Sequence, residues 1–526
     1  MVKLSKRVLL SYGFLTPLLL GLAMPGRVGL WPLLFVALVP LLQICLFLPP
    51  KKSCFFGLAA GFLYHLFLLY WIVIVVGRYG GLPLYLSSGA LILLALYMSF
   101  FWGIFCLLVS TFAGRSWYKE RSIATLVWLA PVLWVACDYL RSFLFSGFPW
   151  MDIGYGLYSQ PRMIQAADLG GHHAVTFSLL LCNSLIVAII DRQRSDVRWN
   201  IRMERRLLLL ACGFLVFIFG YSFLRYDIVS KAVSRGLQSK IVVVQGNIDQ
   251  AEKWTPGKKK QTVDTYVRLS EELLGQRDTE LVVWPETALP FYLQNDPMAA
   301  RIAQFVTANN IWLLTGAPAY SILGTHADGR RDVDYFNAAV LIDADGRLAG
   351  QYQKQHLVPF GEYVPLKKYM PFLSPLVVSV GDFTAGHSSE PLVMGDIRIG
   401  ALVCFESIFP EIARKSVAAG ANVLVNLTND AWYGRSSAPY QSMAMSVFRA
   451  VETKRSLVRA ANTGMSGFVD PVGNIMKRTE LFVPTALASQ VPLWEEETVF
   501  TQNGYLFGAC CLCGTVAILL FRKRGA

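Results

Sequence analysis

Residues 399–408 read IGALVCFESI. The apolar run Ile399–Val403 predicts a buried β-strand, and it ends on Cys404. A cysteine there either packs as a small hydrophobe or serves as a nucleophile. In the second case another group must take its proton, and no histidine lies beside it. Two other apolar runs end in the same manner: LVVWPE (281–286) on Glu286 and AGQYQK (349–354) on Lys354. Ligand sites in α/β folds gather beyond the carboxyl ends of strands. Three sequence-distant strands can therefore deliver a carboxylate, an ammonium and a thiol to one place.

The chemistry of that trio is coherent. A free thiol, with a pKa of about 8.5, is only a few per cent thiolate at neutral pH. A carboxylate can take its proton during attack and return it to a leaving group. A fixed ammonium can stabilise the oxyanion of a tetrahedral intermediate. The set suits acyl transfer through a thioester. Taken singly, each residue also has a structural reading: Cys404 as core, Lys354 as a solvated strand end, Glu286 as a buried carboxylate with a partner. A Cys–His pair is the nearest rival, with His326, His356 and His387 in the same polar region.

The surroundings are those of a membrane protein. Of 526 residues 54% are hydrophobic and 16% charged, and the mean hydropathy is +0.44. That is too apolar for an ordinary soluble chain. Eight apolar windows are long enough to propose as spans: 8–25, 29–48, 54–76, 83–112, 123–141, 173–190, 207–224 and 505–521. The net charge of +13 would suggest nucleic acid in a soluble protein. Here the basic residues cluster in alternate loops and at the C-terminus, so the charge is a topology signal and no nucleic-acid partner is expected. The positive-inside rule places both termini in the cytoplasm and the long segment 226–504 outside it.

Three regions follow: a transmembrane domain of about seven spans over residues 1–225, an extracytoplasmic domain over 226–504, and a final helix with a basic tail, 505–526. Segment 142–172, apolar but broken by Gly and Pro, is expected to be interfacial or re-entrant and outward-facing. Within 226–504, nine strands and four helices alternate, with hairpin turns at DADG (343–346) and DPVG (470–473). Of ten cysteines only Cys404 falls in this region, so it offers no disulfide and no cysteine metal cluster. No cofactor and no metal are expected. The stretch 364–380, VPLKKYMPFLSPLVVSV, is too apolar for a simple loop and is expected either to dip into the outer leaflet beside the site or to pack on the domain core.

Four blocks carry a resemblance: WPETALP (284–290), YQKQHLVPFGEYVP (352–365), VCFESIFPE (403–411) and VNLTNDAWYG (425–434). They resemble the nitrilase, or carbon-nitrogen hydrolase, superfamily. Together with the spans and VVVQGNIDQAEKW (242–254), the whole chain is similar to the apolipoprotein N-acyltransferase family of the bacterial inner membrane. The resemblance implies an α-β-β-α sandwich in the periplasm. It implies Glu286 as general base, Lys354 as oxyanion stabiliser and Cys404 as nucleophile. Glu362 would hold Lys354, and Glu406, Trp254 and Trp432 would line the site. Phe405 departs from the family pattern, in which many relatives carry tyrosine. The implied reaction is ping-pong. Cys404 takes an acyl chain from a glycerophospholipid and passes it to the N-terminal amine of a diacylglyceryl-cysteine apolipoprotein. A monomer is expected. The alternatives are a membrane-tethered amidase acting on a small carbon–nitrogen substrate, and a transporter or receptor with an external binding domain.

Overall fold

The computed structural model describes residues 5–113, 123–194, 201–250, 252–255, 257–274, 279–325, 331–363 and 383–523. Stretch 364–380 and His326 lie outside the described residues. The chain divides into two compact units: one of residues 1–73, 84–227 and 503–526, the other of 74–83 and 228–502.

The first unit is helical. Among the described residues four helices are long and apolar enough to cross a membrane: Lys6–Ala23, Leu84–Ala113, His172–Asp191 and Glu204–Val233. Pro50–Leu68 and Trp71–Tyr79, bent by 51°, make a fifth if they form one span. This is fewer than the eight expected, although every expected window holds helical structure. Window 29–48 breaks into a 3-10 turn, Trp31–Phe35, and a short helix, Val39–Phe47, each with a proline in its first turn. Proline has no N–H to donate and ends a helix that reaches it from the N-terminal side. The helix Ile123–Arg141 carries Asp138 and Arg141 in its last turns. Leu506–Phe521 is apolar but shorter than a full span. Segment 142–172 folds into short turns with Trp150, Ile153, Tyr155 and Ile164 buried, so its irregular backbone is covered by protein. There Arg141 bonds both Asp138 and Asp152, and His172 Nε2 lies 2.8 Å from Asp152 Oδ2.

Among its described residues the second unit has twelve strands. They are β1 Gln238–Gln245, β2 Leu281–Val283, β3 Trp312–Thr325, β4 Arg331–Ile342, β5 Leu348–Gln353 and β6 Leu392–Met394. The rest are β7 Ile397–Val403, β8 Val423–Thr428, β9 Ser456–Ala461, β10 Gly467–Val469, β11 Ile475–Arg478 and β12 Thr485–Pro492. Two six-stranded sheets result, in the orders β12-β1-β2-β3-β4-β5 and β11-β10-β9-β8-β7-β6. The centre of each is parallel (β1-β2-β3 and β7-β8-β9) and its flanks are antiparallel. Strands β6, β11 and β12 escape sequence reading because they are short or weakly apolar and sit at or near sheet edges.

Alternation along each strand makes the layers. Ile241, Val243, Leu281 and Val283 point between the sheets and meet Ile399, Val403, Val425 and Val458. Val242, Val244 and Val282 point the other way, onto helices Lys258–Leu274 and Met298–Asn309. Helices Pro410–Ala418 and Ala438–Thr453 pack on β7 and β9 of the second sheet. The order is α-β-β-α.

Trp284 anchors the end of β2. Its ring stacks between Tyr266 (5.3 Å) and Phe305 (5.7 Å), and its Nε1 donates to Ser270 Oγ at 3.0 Å. The backbone after it passes so close to β3 that residue 316 must be glycine: a Cβ there would lie 2.4 Å from Thr287 N and 2.6 Å from Glu286 Cα. Gly316→Ala should therefore lower stability by about 1–3 kcal/mol, as overpacking does. A reduced thermal midpoint of the detergent-solubilised protein checks this; an unchanged midpoint would show that the contact relaxes freely.

Candidate active site

Glu286, Lys354 and Cys404 converge at the carboxyl ends of β2, β5 and β7. Lys354 and Glu286 are buried, with 1% and 6% of their surface exposed. Lys354 Nζ pairs with Glu362 Oε2 at 2.8 Å and with Oε1 at 3.0 Å. It lies 4.0 Å from Glu286 Oε1. Asn337, on β4, holds the two carboxylates in register: its Nδ2 donates to Glu286 Oε1 at 2.8 Å and to Glu362 Oε1 at 2.9 Å. Val358 N donates to Glu362 Oε2 at 2.9 Å. Glu286 Oε2 is buried and has no hydrogen-bond partner among the described residues.

Cys404 opens a 3-10 turn, Cys404–Ile408, with φ of 56°. Left-handed backbone at a non-glycine residue is uncommon and costs of order 1–3 kcal/mol, so surrounding contacts must enforce it. Several do. Glu406 Oε2 accepts from Val403 N at 2.7 Å. Cys404 O accepts from Ser407 Oγ at 3.3 Å and from Asn426 Nδ2 at 3.4 Å. Asn426 is held in turn by Arg459, whose buried guanidinium pairs with Asp430 at 3.0 Å. Thr287, next to Glu286, is left-handed as well, with φ of 49°.

The charges act on one another. Burial pushes the Cys404 thiol well up, the Glu286 carboxylate adds to that rise, and the Lys354 ammonium opposes it. The thiol is therefore neutral at rest. Burial works against the Lys354 charge, but the carboxylates of Glu362 and Glu286 hold its proton far above the usual range. Glu406 is fully buried. It accepts from Tyr352 Oη at 3.1 Å, Gln355 N at 2.6 Å and His356 N at 3.1 Å, besides Val403 N. Burial pushes its carboxyl up to about 7 against these donors.

The other candidates are placed as follows. Phe405 packs edge-on against Phe409, ring centroids 5.2 Å apart. Trp432 meets Tyr79 edge-on at 5.5 Å, in the same unit. Trp254 lies in a turn and is 43% exposed. His356 lies over Phe409 at 3.8 Å and makes no hydrogen bond to Cys404, and His387 is exposed. Nothing in the sequence singles out Asn337 or Lys253. Asn337 is a polar break in the apolar half of β4. Lys253 precedes Trp254 and looks like a surface lysine. It is 1% exposed, and its Nζ donates to the main-chain oxygen of Glu286 at 3.1 Å. In the other unit, Asp152, His172 and His173 bring ligand atoms within 4.8 Å of one another. Arg141 already matches the Asp152 charge there, which disfavours a second cation.

Residues 240–494 match the family described as carbon-nitrogen hydrolase, and residues 17–185 match the apolipoprotein N-acyltransferase N-terminal domain. A Geobacter metallireducens protein named apolipoprotein N-acyltransferase is 40% identical over 515 residues, covering 97% of this chain and 95% of its own. One of the same name from Methylococcus capsulatus is 30% identical over 498 residues, covering 93% and 91%. Among solved structures, a carbon-nitrogen hydrolase from Helicobacter pylori G27 is 19% identical, covers 51% of this chain and 94% of its own, and has a TM-score of 0.37. The two family matches tile the chain in the order of its two folds, and the Geobacter relative aligns with nearly all of it: the chain belongs to the apolipoprotein N-acyltransferase family.

Proposed function

We propose that this membrane protein N-acylates lipoproteins by a two-step reaction on Cys404. The observation that carries the mechanism is the open acceptor Glu286 Oε2, buried beside a neutral thiol and a permanently charged Lys354. In the first step Cys404 Sγ attacks the ester carbonyl of a glycerophospholipid while Glu286 Oε2 takes the thiol proton. Negative charge develops on the carbonyl oxygen, and the Lys354 ammonium stabilises it. Collapse breaks the ester C–O bond. The glycerol oxygen takes the proton from Glu286, and the lysophospholipid leaves a thioester behind.

In the second step the N-terminal amine of a diacylglyceryl-cysteine apolipoprotein attacks the thioester carbonyl. The amine proton goes to Glu286, the C–S bond breaks, and Glu286 returns that proton to the Cys404 thiolate. The product is an amide. Glu362 and Asn337 hold Lys354 and Glu286 at fixed separation, so little reorganisation is needed as charge develops. Both substrates are lipids, and the apolar helices fit a protein embedded in a membrane. We place the catalytic unit on the periplasmic face of the inner membrane with both termini cytoplasmic, on the strength of the alternating basic loops. Trp254 and Trp432 are assigned to substrate contact, and Phe405 to packing. A lone catalytic chain is expected.

The test is acyl-enzyme trapping with a phospholipid carrying a tagged acyl chain. A tag on Cys404 that a diacylglyceryl lipopeptide discharges fits acyl transfer; discharge by water at the same rate would favour a hydrolase. Cys404→Ala should abolish labelling. Glu286→Gln should slow it by about 10²–10⁴-fold, the usual contribution of a general base.

His356 should be dispensable for that labelling. His356→Phe should load the tag within about threefold of wild type, whereas loss matching Cys404→Ala would revive a Cys–His pair. The same variant should alter acid stability. Burial and the Lys354 charge pull the His356 pKa down to about 4, from an ordinary value of about 6.5. A depressed histidine pKa contributes stability that is present above 6.5 and lost as pH falls towards 4, here up to about 3 kcal/mol. Wild-type melting points should drop across that window more steeply than those of His356→Phe.

A further inference from the structure

Two buried lysines serve the site, and the mechanism above uses one. Lys253 lies in the turn before the helix Lys258–Leu274, remote in sequence from β2, β5 and β7. Its side chain runs inward, is 1% exposed and ends on the main-chain oxygen of Glu286 at 3.1 Å. No ion pair is formed with Lys253 among the described residues, unlike Lys354, which has Glu362 at 2.8 Å. A buried ammonium without a carboxylate partner is costly. Something must repay that cost: the Glu286 carboxylate favours its proton at rest, and a Cys404 thiolate does so once formed.

The cluster therefore holds two carboxylates, Glu286 and Glu362, and two ammonium groups, Lys354 and Lys253. With Lys253 charged, the four balance. With Lys253 neutral, the cluster carries an excess negative charge before the thiol has lost its proton, and like charge opposes a thiolate. We propose that Lys253 is a charge-balancing, positioning residue for this reaction: anchored to the backbone of Glu286, it keeps the site neutral so that negative charge can form on Cys404. The proposal rests on Cys404 as nucleophile and Glu286 as base.

Lys253 is also the cation of the pair that titrates in an accessible range. Burial pulls its pKa down to about 8, against the attraction of Glu286 and Cys404. Lys354 stays charged far above that. The titratable groups facing Lys253 are Glu286 and Cys404; Lys354 and Glu362 act on Cys404, and Tyr433 is in turn acted on by Cys404 and Glu286. Asp249 and Glu252 share its turn.

The test uses the full-length protein in detergent micelles and a probe that needs no lipid substrate. Iodoacetamide alkylation of Cys404 is followed by peptide mass spectrometry from pH 6.5 to 9.5. In wild type the rate should rise with pH and then flatten near pH 8, where Lys253 loses its proton and the thiolate loses its support. In Lys253→Arg, whose guanidinium does not titrate there, the rate should keep rising. In Lys253→Met the rate at pH 7.5 should fall about tenfold, the equivalent of one unit in the thiol pKa. Arginine should recover it to within about threefold. Equal rates in Met and Arg variants, or a Met variant as reactive as wild type, would reduce Lys253 to packing. A wild-type profile with no break would overturn the proposal even where the Met variant fails to fold. If tagged phospholipid never loads Cys404, the acyl-transfer reading fails while the alkylation series still decides the role of Lys253.

Discussion

The Glu406 carboxyl ties together the two sheets of the catalytic unit at the place where the chemistry lies. Its oxygens accept from Gln355 N and His356 N, just past the end of β5, and from Val403 N, at the end of β7. Lys354 and Cys404 occupy the adjoining positions. One buried side chain thus sets the distance between an ammonium on one sheet and a thiol on the other. Hydrogen bonds to a charged group contribute about 1.5–3 kcal/mol each when both partners are buried. Several of them converging on one carboxyl also constrain the turn that holds Cys404 in a left-handed conformation. Sheet packing brings the two strand ends near each other; Glu406 sets their register.

Around that clamp the electrostatics follow a consistent logic. The thiol is buried and beside a carboxylate, so it stays protonated until a substrate arrives. Lys354 is held charged by Glu362. Asn337 bonds one oxygen of each carboxylate and leaves Glu286 Oε2 as the open acceptor. Such a site favours concerted proton transfer over a standing thiolate. His356, two residues from Lys354 in the chain, is kept neutral by burial and by that same ammonium, and packs on Phe409.

The helical unit obeys a different constraint. Charged groups within membrane helices must be matched by partners inside the protein. Arg141 meets Asp138 and Asp152, and Asp152 also meets His172. These pairs lie where the helix Ile123–Arg141 gives way to the irregular segment, whose backbone is buried under aromatic and aliphatic side chains. Prolines at 32 and 40 open short helices instead of continuing a long one, which is why apolar windows of sufficient length do not all become full spans.

Much of the catalytic unit was legible in the sequence because buried parallel strands are continuous apolar runs, and catalytic groups follow their carboxyl ends. The runs ending on Glu286, Lys354 and Cys404 were candidates by that rule, each with a structural reading beside it, and only the resemblance of the surrounding blocks singled them out. Hairpins announced themselves through DADG and DPVG, whose aspartates bond the backbone of the turn. Edge strands β6, β11 and β12 did not, because they are too short or too weakly apolar for a period of two to show. Asn337 and Lys253 were illegible for a related reason: a polar side chain reveals its partners only once the chain has folded around it. Sequence alone determined which residues could do the chemistry, since apolar periodicity and residue type are local properties. Tertiary structure alone decided which of them meet, which oxygen is left open and which lysine lies buried, since those depend on contacts between segments far apart in the chain.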